Sequence, residues 1–169
     1  MTNQELRDQI RLAFPATQFD GPITPCECAE CTDLRKELRH KRWDEISAAF
    51  LDFTCSPTLL TPEAFQAFLP AYLHRALDHL SGDSPDDLGF DSVVVEFTVY
   101  CLCPSPPAKA QEATVSRDDQ VSRLLERARL MSPAQIQAIR AFLVLVQENA
   151  RNAEWYRPFI ASALERVWQ

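Results

Sequence analysis

The cysteines are the residues of this sequence with the clearest potential for chemistry, because a thiolate can bind a soft metal ion or act as a nucleophile. The chain has six, and three of them, Cys26, Cys28 and Cys31, stand close together in a proline-containing segment. Thiolates at this spacing can converge on one tetrahedral zinc ion, since Zn–S bonds of roughly 2.3 Å need a flexible turn between the ligands. The spacing therefore predicts a metal site at these three residues, with zinc as the candidate cofactor.

A tetrahedral site needs a fourth ligand, and the same thiols also allow interpretations without a metal. Cys103 is the first candidate for the fourth ligand, and Cys101, Cys55 and His40 are the others. In a reducing compartment the loop thiols can instead be structural, redox-active or nucleophilic. Cys55, Cys101 and Cys103 also suit the role of small buried hydrophobic residues. Glu30 could hydrogen-bond its own turn, support a metal-bound thiolate or stay in solvent.

A catalytic thiol would need a base beside it, and the chain offers three histidines. Cys28 or Cys31 could pair with His40, His74 or His79, but the sequence does not fix that geometry. His74 and His79 are five positions apart, whereas a spacing of four would stack them on one helix face. The sequence contains no recognised catalytic motif. We therefore expect a non-catalytic protein with no catalytic residues.

Length and composition indicate one domain. With 169 residues and 46% hydrophobic content, residues 1–169 can close one sizeable core but are too short for two. No apolar run approaches the ~20 residues of a membrane span, and the N-terminal segment lacks the basic-then-apolar layout of a secretory signal. We therefore expect a cytoplasmic protein that binds no membrane.

The charge of the chain is acidic, with a formal net charge of −7 at pH 7. Such a balance disfavours nucleic-acid binding and suits a protein partner with a basic surface. The most acidic stretch supplies the candidate partner-binding residues, which are Asp83, Asp86, Asp87 and Asp91. A basic cluster has the opposite sign and is either a solvated face or a binding surface for an acidic patch; its members are Arg35, Lys36, Arg39, His40, Lys41 and Arg42.

Helix signals recur along the chain and predict an all-α fold, a compact bundle of about six to eight helices. A long loop with cysteines and prolines covers residues 16–31, after which Thr32 can cap the next helix. Thr61 begins a central helix at 62–80, which Pro70 should kink or split in two. Residues 132–135 form a capping-box sequence with proline at the first helical position.

The valine-rich segment at 93–103 is harder to assign. Its β-branched residues favour a strand, whereas a continuous apolar run of this length also suits a buried helix. We predict a helix, because no second strand-like run exists with which a sheet could form. A proline-rich loop should follow at 104–115.

Several of these motifs resemble an uncharacterised family of small bacterial proteins. The resemblance rests on Cys28-Ala29-Glu30-Cys31, on Trp43, on the stretch from Leu60 to Leu73, and on the stretch from Leu130 to Gln135 with Phe142-Leu143. The family carries a Cys-x-Glu-Cys element followed by a Leu-Ser/Thr-Pro-Glu-Ala-Phe…Leu-Pro-Ala helix. The resemblance covers roughly residues 25–145 and implies a compact helical domain from a bacterium, without an established activity.

Two functions follow from these features as hypotheses. The first is a non-catalytic binding protein, in its most specific form an immunity protein that neutralises an antibacterial toxin; small acidic helical proteins of bacteria supply the analogy. Toxins that act on nucleic acids have basic clefts, to which an acidic partner binds quickly. The alternative is a zinc-stabilised structural or regulatory module.

Overall fold

The structure is a computed structural model, and it describes residues 1–53, 57–80, 92–104, 117–150 and 153–169. Within these ranges the chain forms eight α-helices, two short 3-10 helices and no strand, which confirms the predicted all-α class. The α-helices are α1 (Asn3–Ala13), α2 (Ala29–Leu38), α3 (Ala48–Phe53), α4 (Pro62–Leu80), α5 (Val93–Leu102), α6 (Arg117–Leu130), α7 (Pro133–Asn149) and α8 (Ala153–Arg166), and the 3-10 helices are Trp43–Glu45 and Pro57–Leu59.

Helix α4 is the centre of the bundle, and α1, α3, α5, α6 and α7 pack against it. Its first turn is capped by Thr61, whose Oγ1 accepts a hydrogen bond from the Ala64 amide at 3.2 Å. Pro70 is buried inside the helix, yet residues 62–80 form one continuous element. The predicted bounds are therefore confirmed, and the alternative of two separate helices is wrong.

The valine-rich segment is helical, as predicted. Ser92 precedes α5 and its Oγ accepts from the Val95 amide at 3.5 Å. Side chains on several faces of this helix are buried, including Val94, Val95 and Val99, which explains its unbroken apolar sequence. The C-terminal Trp168 is fully buried and donates from Nε1 to the Leu102 carbonyl at 2.7 Å, so the end of the chain closes over α5.

The N-terminal loop is shorter than the sequence predicts. Helix α2 begins at Ala29 and Cys28 occupies the N-cap position, so the prediction that Thr32 caps this helix is wrong. Thr32 lies inside the first turn and donates from Oγ1 to the Cys28 carbonyl at 3.0 Å. Cys31 is consequently a helical residue and is buried.

Three hydrogen bonds to two other segments of the chain hold this loop in place. The Phe19 amide donates to the Lys41 carbonyl at 3.3 Å. Thr61, at the start of α4, donates its amide to the Ile23 carbonyl at 3.0 Å and its hydroxyl to the Pro22 carbonyl at 2.7 Å. The loop is thus tied to the residues after α2 and to the N-terminus of the central helix.

The predicted capping box before α7 is present. Ser132 Oγ accepts from the Gln135 amide at 3.2 Å, while Gln135 Oε1 accepts from the Ser132 amide at 2.9 Å. Among the described helices, none combines the length and the apolar character that crossing a bilayer requires.

Candidate metal centre

The structure brings the three loop cysteines together. Cys26 Sγ lies 3.2 Å from Cys28 Sγ and 2.9 Å from Cys31 Sγ, and all three sulfur atoms lie within 4.8 Å of one another. Cys26 and Cys28 are exposed, whereas Cys31 is buried. The three thiols therefore form a cluster that can hold a metal ion and that opens to solvent on one side.

The junction between loop and helix positions these thiols. Cys28 has an extended backbone at the N-cap, and Cys31 follows one helical turn later, so the two side chains lie on the same side of the first turn. Cys26 comes from the extended loop before them. A buried hydroxyl, Thr24 Oγ1, donates to the carbonyls of Cys26 and Cys31, at 3.5 Å in each case.

Arg35 fastens the loop to the helix. Its Nη1 donates to Thr24 Oγ1 at 2.8 Å and to the Cys26 carbonyl, and its Nη2 donates to Glu27 at 3.0 Å and to Thr32 Oγ1 at 3.1 Å. From the sequence, Arg35 was predicted only as a member of a basic surface cluster, and this role was not predicted. The available signal was its position four residues after Cys31, which puts both side chains on one face of α2.

The surroundings of the cluster shift the pKa values of Cys26 and Cys31 in opposite directions. Hydrogen bonding with the Cys31 thiol, then with Cys28, lowers the pKa of Cys26, and the nearby Arg35 guanidinium lowers it further. The same hydrogen bond to Cys26, together with burial, raises the pKa of Cys31. Cys26 therefore ionises at a lower pH than Cys31.

Within the described residues, no fourth cysteine, histidine, aspartate or glutamate joins the cluster. Cys103, the first candidate for the fourth ligand, is buried at the end of α5 instead, and burial raises its pKa. Cys101 is buried in the same helix and donates from Sγ to the Thr98 carbonyl at 3.0 Å. Both thiols match their alternative role as small buried hydrophobic residues, and Cys55 lies outside the described residues.

The histidines occupy other parts of the described structure. His40, a further candidate ligand, uses Nδ1 with Asp20 at 2.7 Å and accepts from Arg39 Nε at its Nε2 at 3.0 Å. His74 is buried and stacks on the Trp43 ring, with 5.1 Å between ring centroids. His79 Nε2 lies 3.2 Å from Asp52 Oδ1. None of them belongs to the thiol cluster, so the described structure contains no Cys–His pair at Cys28 or Cys31.

The candidate partner-binding residues Asp83, Asp86, Asp87 and Asp91 lie outside the described residues, as does most of the proline-rich loop predicted at 104–115. Comparisons with known protein families, with curated proteins and with solved structures find no significant match to this chain. The resemblance to a bacterial family stays a prediction from its motifs.

Proposed function

We propose that this protein is a metal-stabilised helical module in which Cys26, Cys28 and Cys31 bind one zinc ion. The observation that carries the proposal is the convergence of three free thiols from the loop and the first turn of α2. The ion would join the exposed end of the loop to the buried Cys31, and through it to the core.

Zinc fits the donor set better than the other common metal ions do. Thiolates select soft or borderline ions, whereas magnesium and calcium prefer oxygen ligands. Zn–S bonds of roughly 2.3 Å imply sulfur–sulfur distances of about 3.8 Å in a tetrahedron. The pairs at 2.9 and 3.2 Å would need to open by less than about 1 Å, which exposed side chains can do by small rotations.

The charge around the cluster also supports a metal. Three thiolates and one Zn²⁺ carry a net charge of −1, and the Arg35 guanidinium, hydrogen-bonded to the Cys26 carbonyl, supplies a compensating positive charge. The described chain provides three ligands, so the fourth position would be taken by water or by a ligand from elsewhere.

Metal content of the purified protein tests this proposal. Protein prepared under reducing conditions with zinc should retain about one ion per chain after exhaustive dialysis, as measured by mass spectrometry of the metal. Replacing zinc by cobalt should give the intense thiolate charge-transfer absorption that oxygen ligands do not produce. Cys26→Ser, Cys28→Ser and Cys31→Ser should each lower the retained metal to well below one ion per chain.

The matched control is Cys103→Ala, which removes a buried thiol that does not belong to the cluster. This variant should keep the metal of the parent protein. A parent protein that retains no zinc, or a Cys103→Ala variant that loses as much as Cys28→Ser, would contradict the proposal.

A partner-binding role, with immunity to a toxin as its most specific form, stays a prediction from the sequence. Its candidate residues lie outside the described structure, and no described contact favours it over other roles. The two hypotheses are compatible, because a zinc-stabilised loop can also be part of a protein that binds a partner.

A further inference from the structure

We infer that a second site, a basic cavity between the N-terminal loop and α2, binds a small organic phosphate. The cavity has a volume of about 790 Å³, within the range typical of small-molecule sites. Phe19, Pro22 and Ile23 line it from the loop, and Lys36, Arg39 and His40 line it from the end of α2 and the residues that follow. This inference is independent of the proposed zinc site.

Two of the cations in this cavity have no acidic partner within the described structure. Arg35, which also lines it, is paired with Glu27 at 3.0 Å, and Asp20, a carboxylate in the same lining, lies 2.7 Å from His40 Nδ1. Lys36 and Arg39 are exposed and form no ion pair with a described residue. They lie three positions apart, close to one helical turn, so their charged groups can reach one dianion together.

The Asp20–His40 contact orients the Arg39 side chain for such a ligand. His40 accepts from Arg39 Nε at its Nε2, so its Nδ1 carries the proton and donates to Asp20 Oδ1. Arg39 is thus held through Nε, while its two terminal NH₂ groups have no acceptor among the described residues. His40 has φ of 58°, a left-handed conformation that is uncommon for residues other than glycine. That conformation carries the ring to the loop side of α2.

The shape and charge of the cavity favour a small phosphate over other anions. A phosphate monoester is a dianion near neutral pH and matches two free cations, and an arginine can bind it through two parallel hydrogen bonds. The loop residues Phe19, Pro22 and Ile23 provide an apolar wall for an organic group attached to the phosphate. A polyanion is disfavoured, because the parts of it outside the cavity would be repelled by a chain of net charge −7. A small ligand lies entirely inside the cavity, and the acidic residues more than about 8 Å away from it are screened by salt.

Titration of the purified protein with phenyl phosphate, followed by amide NMR shifts and by calorimetry, tests the inference. Saturable binding should shift amides around residues 19–23 and 36–40. Replacing both cations, as Lys36→Gln with Arg39→Gln, should weaken binding by at least about tenfold, because charge-assisted hydrogen bonds are lost. The matched control, Arg123→Gln with Arg129→Gln, removes the same charge from exposed positions of α6 and should bind as the parent does.

Binding measurements with other ligands distinguish a phosphate site from a general anion site. Inorganic phosphate should bind more weakly than phenyl phosphate, since it cannot use the apolar wall, and benzoate should bind more weakly because it carries one charge. The inference is overturned if no saturation occurs at millimolar ligand, if benzoate binds as tightly, or if the control pair loses as much affinity. Absence of saturation would mean that Lys36 and Arg39 only compensate the negative end of α2, whereas the other two results would mean that binding is not specific for a phosphate at this cavity.

Discussion

At the scale of single residues, the structure assigns roles that depend on contacts distant in sequence. Arg35 holds the cysteine loop through Thr24 and the Cys26 carbonyl, and Trp43 donates from Nε1 to the Phe14 carbonyl at 3.0 Å while its ring covers His74. Helix periodicity places Arg35 on the same face of α2 as Cys31, but it does not identify the partners of Arg35 or Trp43, because those partners belong to other segments. The burial of His74 has a consequence for stability that can be measured.

We predict that His74 makes the protein less stable in mild acid. Burial, followed by the nearby Arg11 and Arg7, lowers the pKa of His74 to about 4, while Asp78 and Asp8 act weakly in the opposite direction. The side chain is therefore neutral in the folded protein, but it binds a proton in the unfolded chain below about pH 6.5. Stability is complete above that pH and is lost as the pH falls towards 4, by at most about 3 kcal/mol.

Urea unfolding at about pH 7 and about pH 5 measures this effect. His74→Phe keeps a ring against Trp43 and removes the titrating group. It also removes the buried Nε2, which has no hydrogen-bond partner among the described residues. The difference in unfolding free energy between the two pH values should therefore become smaller. Phe142→Leu, at a buried ring that carries no titrating group, is the control and should keep the parent's difference. An unchanged difference in His74→Phe would exclude His74 as its source.

At the scale of elements, the sequence predicts helices best where their signals are local. The Ser132–Gln135 capping box and the start of α4 after Thr61 are both confirmed. The helix predicted at 93–103 is found at Val93–Leu102, but that prediction came from the absence of a second strand-like run and not from a local signal. The start of α2 was wrong by one turn, because Cys28 is not a preferred capping residue and makes no side-chain cap. Contacts from Arg35 and Thr24 stabilise that first turn instead, and they are invisible to a local rule.

We predict that Thr61 caps α4 and also holds the N-terminal loop in place. Thr61→Ala removes the cap to Ala64, which costs about 1 kcal/mol, and the hydroxyl bond to the Pro22 carbonyl, which adds up to about 1 kcal/mol. Ser132→Ala is the matched control, because Ser132 caps α7 without a bond to the loop. Hydrogen exchange should become faster at residues 16–28 in Thr61→Ala only. Equal exchange in the two variants would show that Thr61 does not hold the loop.

At the scale of the whole molecule, apolar residues of the helices form one core around α4, which length and composition suggested for a single domain. The thiol trio was also predictable, because close spacing in sequence forces closeness in space. The location of Cys103, the first candidate for the fourth ligand, could not be predicted in the same way. It depends on the position of α5 relative to the loop, and therefore on how the whole bundle packs. Net charge is also a property of the whole molecule, and it affects the rate at which a charged partner associates.

The last prediction concerns this charge. If Asp83, Asp86, Asp87 and Asp91 bind a basic partner, replacing all four with asparagine should slow association, because the acidic stretch no longer attracts the partner at long range. A tagged pull-down from the source cells at moderate salt, with mass spectrometry, identifies the partner, and stopped-flow mixing then compares rates. The control variant removes four exposed charges elsewhere, as Asp33→Asn, Glu126→Gln, Glu148→Gln and Glu165→Gln. Both variants change the net charge equally, so a slower rate in the first alone assigns the interface to residues 83–91, and equal rates exclude it.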